Sequence, residues 1–389
     1  MSDDPRQLRI AIASSGLGHI ARGIEAWADD LANALQHRGE AVRLYQGGGT
    51  APHWGEILVN RPRESSRNAA LRRLLPSPLA WRVGLQSPYD VEQTTFAWTL
   101  LRALRRRPAH ILHVQDPLVA LRLDQMRRAG LTRTRTILAH GTEEPGGFLR
   151  RLRYVQHLSP MQLERWQRAG VWRNTWTAIG NFVDTERFHP GDAPDVRAEL
   201  GIAPDAIVLL TVAAIKRAHK RIDWLIDLAA RYRACHPGVP VVLVVAGGRE
   251  TDTDDLIREG TARLGDGIRF LVRHPRERIP ALCRAANIFV LASLFEMMPI
   301  ALLEAGASGL PTVVNDEATL RWMTGPGGTA VDMTDAEKVI PVLHRLVTDP
   351  SERRARSAAA RAHTTATFAT DVIVDRILDY YRTVASDMR

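Results

Sequence analysis

Cysteine is scarce, with Cys235 and Cys283 the only two in 389 residues. That leaves no disulfide framework, fits a reducing compartment and is too few for a structural zinc site between them. Long apolar runs are missing too; none approaches the roughly 20 residues that span a bilayer. The start, Met1-Ser-Asp-Asp-Pro5, lacks the basic and apolar segments of a signal peptide. A cytoplasmic location is expected, with attachment to the inner face of a membrane as a further option. No sequence repeat, low-complexity tract or coiled-coil heptad stands out. No D-x-D element occupies a suitable loop; Asp252-x-Asp254-Asp255 precedes a helix and reads more simply as an N-cap with charges favourable to the helix dipole than as a metal site.

Lysine is absent from residues 1–190, where all 27 basic side chains are arginine against 17 acidic ones. The remaining residues hold 25 basic and 26 acidic, so the net charge of +9 belongs to the first half. Runs such as Arg102-Ala-Leu-Arg105-Arg-Arg107 and Arg150-Arg151-Leu-Arg153 concentrate it. Such a field attracts phosphate groups, an anionic membrane or nucleic acid, and equally suits plain solvated helix faces. Without an aromatic-studded basic sheet or a zinc pattern, nucleic-acid readout is not expected.

What is present is an ordinary globular composition, 45% hydrophobic and 24% charged, at a length that suits two domains. Strands alternate with amphipathic helices in both halves. Strands are expected at 8–13, 41–45, 111–114 and 136–139, with a helix at 23–37. The pattern restarts with strands at 207–213, 239–246, 268–272, 288–292 and 311–314, and helices at 221–235, 254–264, 279–286 and 299–308. Helices at 334–347, 351–367 and 370–384 close the chain. This alternation predicts an α/β protein of two Rossmann-like domains facing each other across a cleft. The expected bounds are 1–188 and 189–368, with 369–389 a helix returning to the first domain, and the hinge near Pro190–Asp195. Residues 47–95 are poorer in pattern, like many functional loops.

Three segments carry chemistry. Ser14-Ser-Gly16-Leu17-Gly18-His19 follows the first strand, where glycines let backbone approach a ligand and amides attract anions. It is not the full G-x-G-x-x-G, and Tyr45-Gln46-Gly47 offers no acid after the second strand, so a dinucleotide dehydrogenase is disfavoured. Lys216-Arg217-Ala-His219-Lys220-Arg221 sits between a strand and a helix, where cations serve a diphosphate. A basic helix start otherwise opposes the dipole by roughly 0.3–1 kcal/mol. In Ser293–Pro311, Glu296 lies in a loop, Pro299 suits a first helical turn, and the amides of Ile300 and Ala301 face the strand end. Glu304 falls in the apolar helix Ala-Leu-Leu-Glu-Ala-Gly-Ala, where a charge needs a partner: vicinal hydroxyls of a ribose or a salt bridge.

Together these segments resemble the retaining glycosyltransferases of family 4, which have the GT-B fold. Glu296 and Glu304 match the E-x7-E element; Ser159 and Gly180-Asn181-Phe-Val-Asp184 through Phe188-x-Pro190 match the approach to the hinge. Leu210-x-Val212 through Lys220 and Val244-Val-Ala-Gly247-Gly fall in the same order. The resemblance covers most of 8–380 and is diffuse in the first half. It implies sugar transfer with retention, without a metal or cofactor, from a UDP-, GDP- or dTDP-linked sugar. The acceptor is unidentified, in the range of a glycolipid, a polysaccharide precursor or a small natural product. Glu304 would hold the ribose hydroxyls, Glu296 would approach the sugar, and Lys220 would contact the diphosphate. Gly16, Leu17 and Gly18 would close over the diphosphate, helped by backbone at Met298, Pro299 and Ile300, and the base would lie near Arg273 and His274. Where the family places an arginine, this chain has Ala214, leaving Lys216 or Arg217 as replacements. The family's first-domain histidine has His113, Gln115 and His140 nearby, with His113 and His140 as catalytic candidates and buried core histidines as the alternative. Asp116 is a further acceptor-side base candidate. Competing expectations are an epimerase or phosphorylase of the same architecture, and a non-catalytic binding protein attached to an anionic membrane through its arginine-rich half.

Overall fold

The computed structural model describes residues 7–20, 23–62 and 85–387. The chain forms two compact units, one of residues 1–180 with 374–389 and the other Asn181–Ile373. The crossings therefore fall at 180/181 and 373/374, ahead of and well beyond the Pro190–Asp195 segment expected as hinge; Pro194–Glu199 of that region is a short helix of the second unit.

The first unit is built on seven parallel strands in the order β3-β2-β1-β4-β5-β6-β7. They are β1 (Arg9–Ser14), β2 (Ala41–Gln46), β3 (Gly55–Ile57), β4 (Ile111–Val114), β5 (Arg135–His140), β6 (Tyr154–His157) and β7 (Thr177–Ala178). Every residue of β4 and β6 is buried, as expected for a parallel sheet covered on both faces. Helices Gly23–His37, Pro88–Arg106, Pro117–Arg128 and Pro160–Arg168 connect the strands. The second of these was not expected, and it overruns the poorly patterned region. Its start is a capping box, Ser87 accepting from Asp90 N while the Asp90 carboxylate accepts from Ser87 N, with Pro88 in the first turn.

The second unit has six parallel strands ordered β10-β9-β8-β11-β12-β13. These are β8 (Ile207–Val212), β9 (Val241–Gly247), β10 (Ile268–Val272), β11 (Ile288–Leu291), β12 (Thr312–Asn315) and β13 (Gly328–Val331). Their order is that of a doubly wound nucleotide-binding sheet, with the reversal between β8 and β11. Helices Ile222–Cys235, Thr253–Leu264, Ile279–Ala285, Ile300–Ala307, Ala336–Thr348 and Pro350–Phe368 cover it. Helix Ile300–Ala307 packs so closely on helix Pro350–Phe368 that a Cβ at Gly306 would lie 2.4 Å from Thr364 Oγ1. Gly309, at φ +75°, ends it; Leu310 N bonds Ala305 O and Gly309 N bonds Gly306 O.

The last helix, Thr370–Ser386, carries the chain back into the first unit from Val374 on. There Tyr381 Oη lies 2.8 Å from His113 Nδ1, Tyr380 Oη donates to Thr175 O at 2.6 Å, and Asp387 pairs with Arg153 at 2.7 Å. Among the described residues no helix is long and apolar enough to cross a membrane.

Candidate functional site

Open α/β sheets bind ligands beyond the carboxyl ends of their strands, where the strand order reverses. In the second unit the loops after β8 and β11 flank that point, and they bring Lys220, His219 and Glu296 together. Lys220 Nζ donates to Glu296 Oε1, and His219 Nε2 lies 3.1 Å from the same oxygen. Glu296 is 7% exposed. Burial pushes its carboxyl up, but the hydrogen bond from His219 and the charge and hydrogen bond of Lys220 outweigh that and hold it at about 2. Glu296 is therefore a carboxylate at neutral pH, charge-paired and partly desolvated.

The turn that presents Lys220 is strained, with His219 at φ 70° and Arg221 at φ 52°, in the left-handed region that side chains disfavour. Its neighbours hold it there. Arg217 N donates to Asp252 Oδ2 at 2.7 Å, and Ile222 N to Lys216 O at 3.2 Å. Arg221 caps the following helix without a side-chain bond; its guanidinium turns instead to Ala292 O at 3.2 Å and Met333 O at 2.7 Å, over the Trp224 ring. The basic run thus divides by task. Arg217 pairs with Glu259 at 2.7 Å and Asp223 at 3.8 Å, Arg221 ties loops together, and Lys220 and His219 meet the carboxylate. Lys216 Nζ stands 3.9 Å from Glu250, the looser of the two candidates to make up for Ala214. Asp252 occupies the N-cap position expected of it, yet its side chain serves Arg217 rather than its own helix, while Asp254 pairs with Arg249 at 2.6 Å.

The loop of Glu296 is pinned on both sides. Asn315 Nδ2 donates to Leu294 O at 2.8 Å, and Asn181 Nδ2 to Met298 O at 2.9 Å. Pro299 is the N-cap, one place earlier than expected, and no side chain caps the helix that begins at Ile300. Glu304 is 7% exposed on the same helix, close enough to Cys283 that burial and then the Glu304 charge push that thiol up to about 12. Arg273, at φ 56°, leaves β10 with its amide bonded to Gly247 O at 2.7 Å. Gly247 itself admits no side chain, since a Cβ would lie 1.7 Å from Ala213 O. Lys216, Lys220, Arg273, Glu296, Met298, Pro299, Ile300 and Glu304 thus share the carboxyl end of one sheet or the helix leading from it.

In the first unit, β1 and β4 flank the equivalent reversal. Gly18 has φ +95°, and a Cβ there would lie 2.0 Å from Gly48 O, while Gly48 N donates to Leu17 O at 3.1 Å. The Gly16–Gly18 loop is therefore glycine-rich first because it packs on the Gly47–Gly49 loop after β2. Beneath it Ser15 Oγ donates to Asp116 Oδ1 at 2.8 Å, Ser15 N to Asp116 Oδ2 at 3.1 Å, and Tyr89 Oη to Asp116 Oδ1 at 3.0 Å. Burial raises the Asp116 carboxyl against these bonds, and at 1% exposure it braces the loop rather than facing a ligand. His19 Nε2 lies 3.2 Å from the buried Glu92 Oε2. His113 is a core side chain, edge-on to Trp27 with ring centroids 5.0 Å apart, and burial lowers it to about 3. His140, at the end of β5, has Nδ1 3.2 Å from His157 Nδ1 and Nε2 3.2 Å from Glu144 Oε2. Tyr89, Glu92, the Ser15–Asp116 bonds and the Glu296 contact of His219 were not anticipated; Ser15, within the glycine-rich segment, and His219, one place before Lys220, did leave a sequence signal.

Residues 192–363 match the family model described as glycosyl transferases group 1. The chain is 32% identical over 209 residues to D-inositol 3-phosphate glycosyltransferase 1 of Catenulispora acidiphila, covering 51% of this chain and 50% of that one. It is 32% identical over 215 residues to the D-inositol 3-phosphate glycosyltransferase of Geodermatophilus obscurus, covering 53% and 47%. The chain spans about half the length of the curated relatives it matches. In fold it is similar to sucrose-phosphate synthase from Thermosynechococcus elongatus, with a TM-score of 0.77 and 19% identity over 98% of this chain and 100% of that one. It is also similar to Anabaena HepE in complex with UDP-glucose, at a TM-score of 0.74 and 15% identity over 97% and 100%.

Proposed function

We propose that the chain is a retaining glycosyltransferase that moves a sugar from a nucleoside diphosphate sugar to an acceptor without a metal ion. The observation that carries this is the meeting of Lys220 and His219 on the buried Glu296 where the second sheet reverses its order. A departing nucleoside diphosphate gains charge as the glycosidic bond breaks, and cations already held in place stabilise it without reorganisation. Lys220 supplies that charge, with Lys216 beside it in place of the family arginine. Glu296, ionised and aimed by its two partners, accepts hydrogen bonds from hydroxyls of the donor sugar. Glu304, buried on the same segment's helix, receives the ribose hydroxyls. The uncapped amides at Ile300 and Ala301 add a positive helix end for phosphate oxygen. With both partners positioned, the departing phosphate oxygen takes the acceptor's proton on the face it leaves, which retains the anomeric configuration.

The match to glycosyl transferases group 1 over 192–363 supports transfer chemistry in the unit that holds these residues. UDP-glucose in the HepE neighbour makes a UDP-sugar the first donor to try, and the inositol phosphate named in the relatives makes a phosphorylated polyol the first acceptor. Thermal-shift titration with UDP, GDP and dTDP tests the donor site. One diphosphate raises Tm in the wild type, and Glu304→Ala, which circular dichroism shows still folded, binds it at least about tenfold more weakly, given that a hydrogen bond to a charged group is worth about 1.5–3 kcal/mol. No response to any diphosphate, or an unchanged response in Glu304→Ala, sinks the assignment.

A further inference from the structure

A second cluster of basic side chains lies at the other end of the first unit's sheet. A cavity of about 650 Å³ opens there, lined by Arg127, Arg128, Arg153, Trp172, Arg173 and Thr175. The lining comes from the last turn of helix Pro117–Arg128 and from the turns into β6 and β7, hence from the amino ends of the strands. The turn into β4 carries Arg107, that into β5 Arg133, that into β6 Arg150, Arg151 and Arg153, and that into β7 Arg173. No carboxylate falls in any of the four turns. Two acids reach the basin from elsewhere, and each is bound to arginine. Asp124 pairs with Arg128 and, at 3.4 Å, Arg127; Asp387 takes Arg153 through two oxygens at 2.7 and 3.0 Å. Four guanidinium groups against two carboxylates leave a surplus of positive charge. Arg173 pairs with no carboxylate among the described residues, donating instead to Arg150 O at 2.6 Å.

The basin is built rather than incidental. Tyr154 Oη donates to Asp387 Oδ2 at 2.8 Å, and the Tyr380 hydroxyl fixes Thr175 O at 2.6 Å. One wall is therefore held by the returning C-terminal helix, so little ordering is needed when a ligand binds. Planar guanidinium groups lining one opening match the oxygens of a phosphate ester. Trp172 stands 50% exposed at the rim and Leu131, in the turn into β5, 43% exposed.

We propose that this basin binds a phosphate-ester group, either on an anionic phospholipid surface or on a soluble phosphorylated compound. The basin uses none of the residues assigned to sugar transfer, so its test stands apart from theirs. The probes are vesicles of phosphatidylcholine with or without phosphatidylglycerol, inorganic pyrophosphate, and duplex DNA, each with the full chain and with Arg127→Glu/Arg173→Glu. Both substituted side chains are at the surface or nearly so, and circular dichroism checks that the variant folds. Flotation with the phosphatidylglycerol vesicles, weakened at least about tenfold in the variant, assigns the lipid source, since each arginine near an anionic surface contributes a factor of roughly five. Trp172→Ser weakens that flotation further and leaves pyrophosphate binding unchanged. Pyrophosphate binding that the double variant loses, without vesicle binding, assigns the soluble source. Tight DNA binding lost in the same variant reassigns the face to nucleic acid and overturns the proposal. Equal binding by wild type and variant to every probe, or none by either, overturns it as well.

Discussion

At the scale of single residues, Lys220 and Arg221 are neighbours with opposite duties. Lys220 ends on Glu296, whereas Arg221 ends on the carbonyls of Ala292 and Met333 and over Trp224. Removing Lys220 leaves Glu296 its second partner, His219, so the fold keeps its contacts; on the proposed mechanism the lost element is charge beside the leaving group. Removing Arg221 orphans two carbonyls and a cation–π contact, an effect of roughly 2–4 kcal/mol on stability. Lys220→Ala is therefore expected to lower kcat/KM at nearly unchanged Tm, and Arg221→Ala to lower Tm by several degrees. Steady-state kinetics and differential scanning calorimetry on the two variants decide it; the reverse pattern means that Lys220 is structural and Arg221 faces the ligand.

At the scale of elements, regular alternation was readable and irregular junctions were not. Helix Gly23–His37 and the strands at 207–212, 241–247, 268–272 and 288–291 stand close to where periodicity puts them, because both faces of a parallel sheet demand apolar runs. β6 escaped because Tyr154-Val-Gln-His157 buries two polar residues and β7 is only two residues long. The site was legible where a local rule applied, as for Glu296 and Glu304 framed by a strand and a proline. It was illegible where the partner lies far along the chain, as in Ser15 with Glu92 and Asp116, 77 and 101 residues apart. Gly247 shows the same limit, since only the structure reveals how near β9 comes to the loop after β8. A methyl group there would sit 1.7 Å from Ala213 O, backbone that cannot rotate away. Gly247→Ala is expected to force the ends of β8 and β9 apart, at a cost above about 2 kcal/mol, in line with overpacking of close-packed interiors. Because the Arg273 amide hangs on Gly247 O, nucleotide affinity falls with it. Urea unfolding followed by nucleotide titration measures both; a variant as stable as wild type contradicts the packing argument.

For the whole molecule, the large acid-range shifts of the two units fall in different pH windows, although burial also lowers His274 of the second unit to a lesser degree. The first unit buries His113 and His157, and burial lowers both from an ordinary 6.5 to about 3, helped in His157 by His140. Unfolding lets each take a proton that the folded state refuses, so their contribution is complete above pH 6.5 and shrinks as pH falls toward 3. Asp116 in the same unit works in the opposite sense, because burial raises its carboxyl and acid relieves it. One group binds at most one proton, so two histidines outrun it, leaving a loss of about 1.4–2.7 kcal/mol per pH unit below 6.5. In the second unit Glu296 is depressed from 4.5 to about 2, so its contribution stays whole down to pH 4.5 and is lost only as pH falls through 2. Mild acid should therefore loosen the first unit before the second. Native-state hydrogen exchange at pH 7.5 and 5.5, corrected for intrinsic rates, should show protection falling in β4 and β6 while β8, β9 and β11 keep theirs. His157→Phe, which removes one of the two protons taken up, should reduce the pH dependence in the first unit and leave the second unaltered. Equal loosening of both units, or the second opening first, would mean that the buried histidines do not govern the acid response.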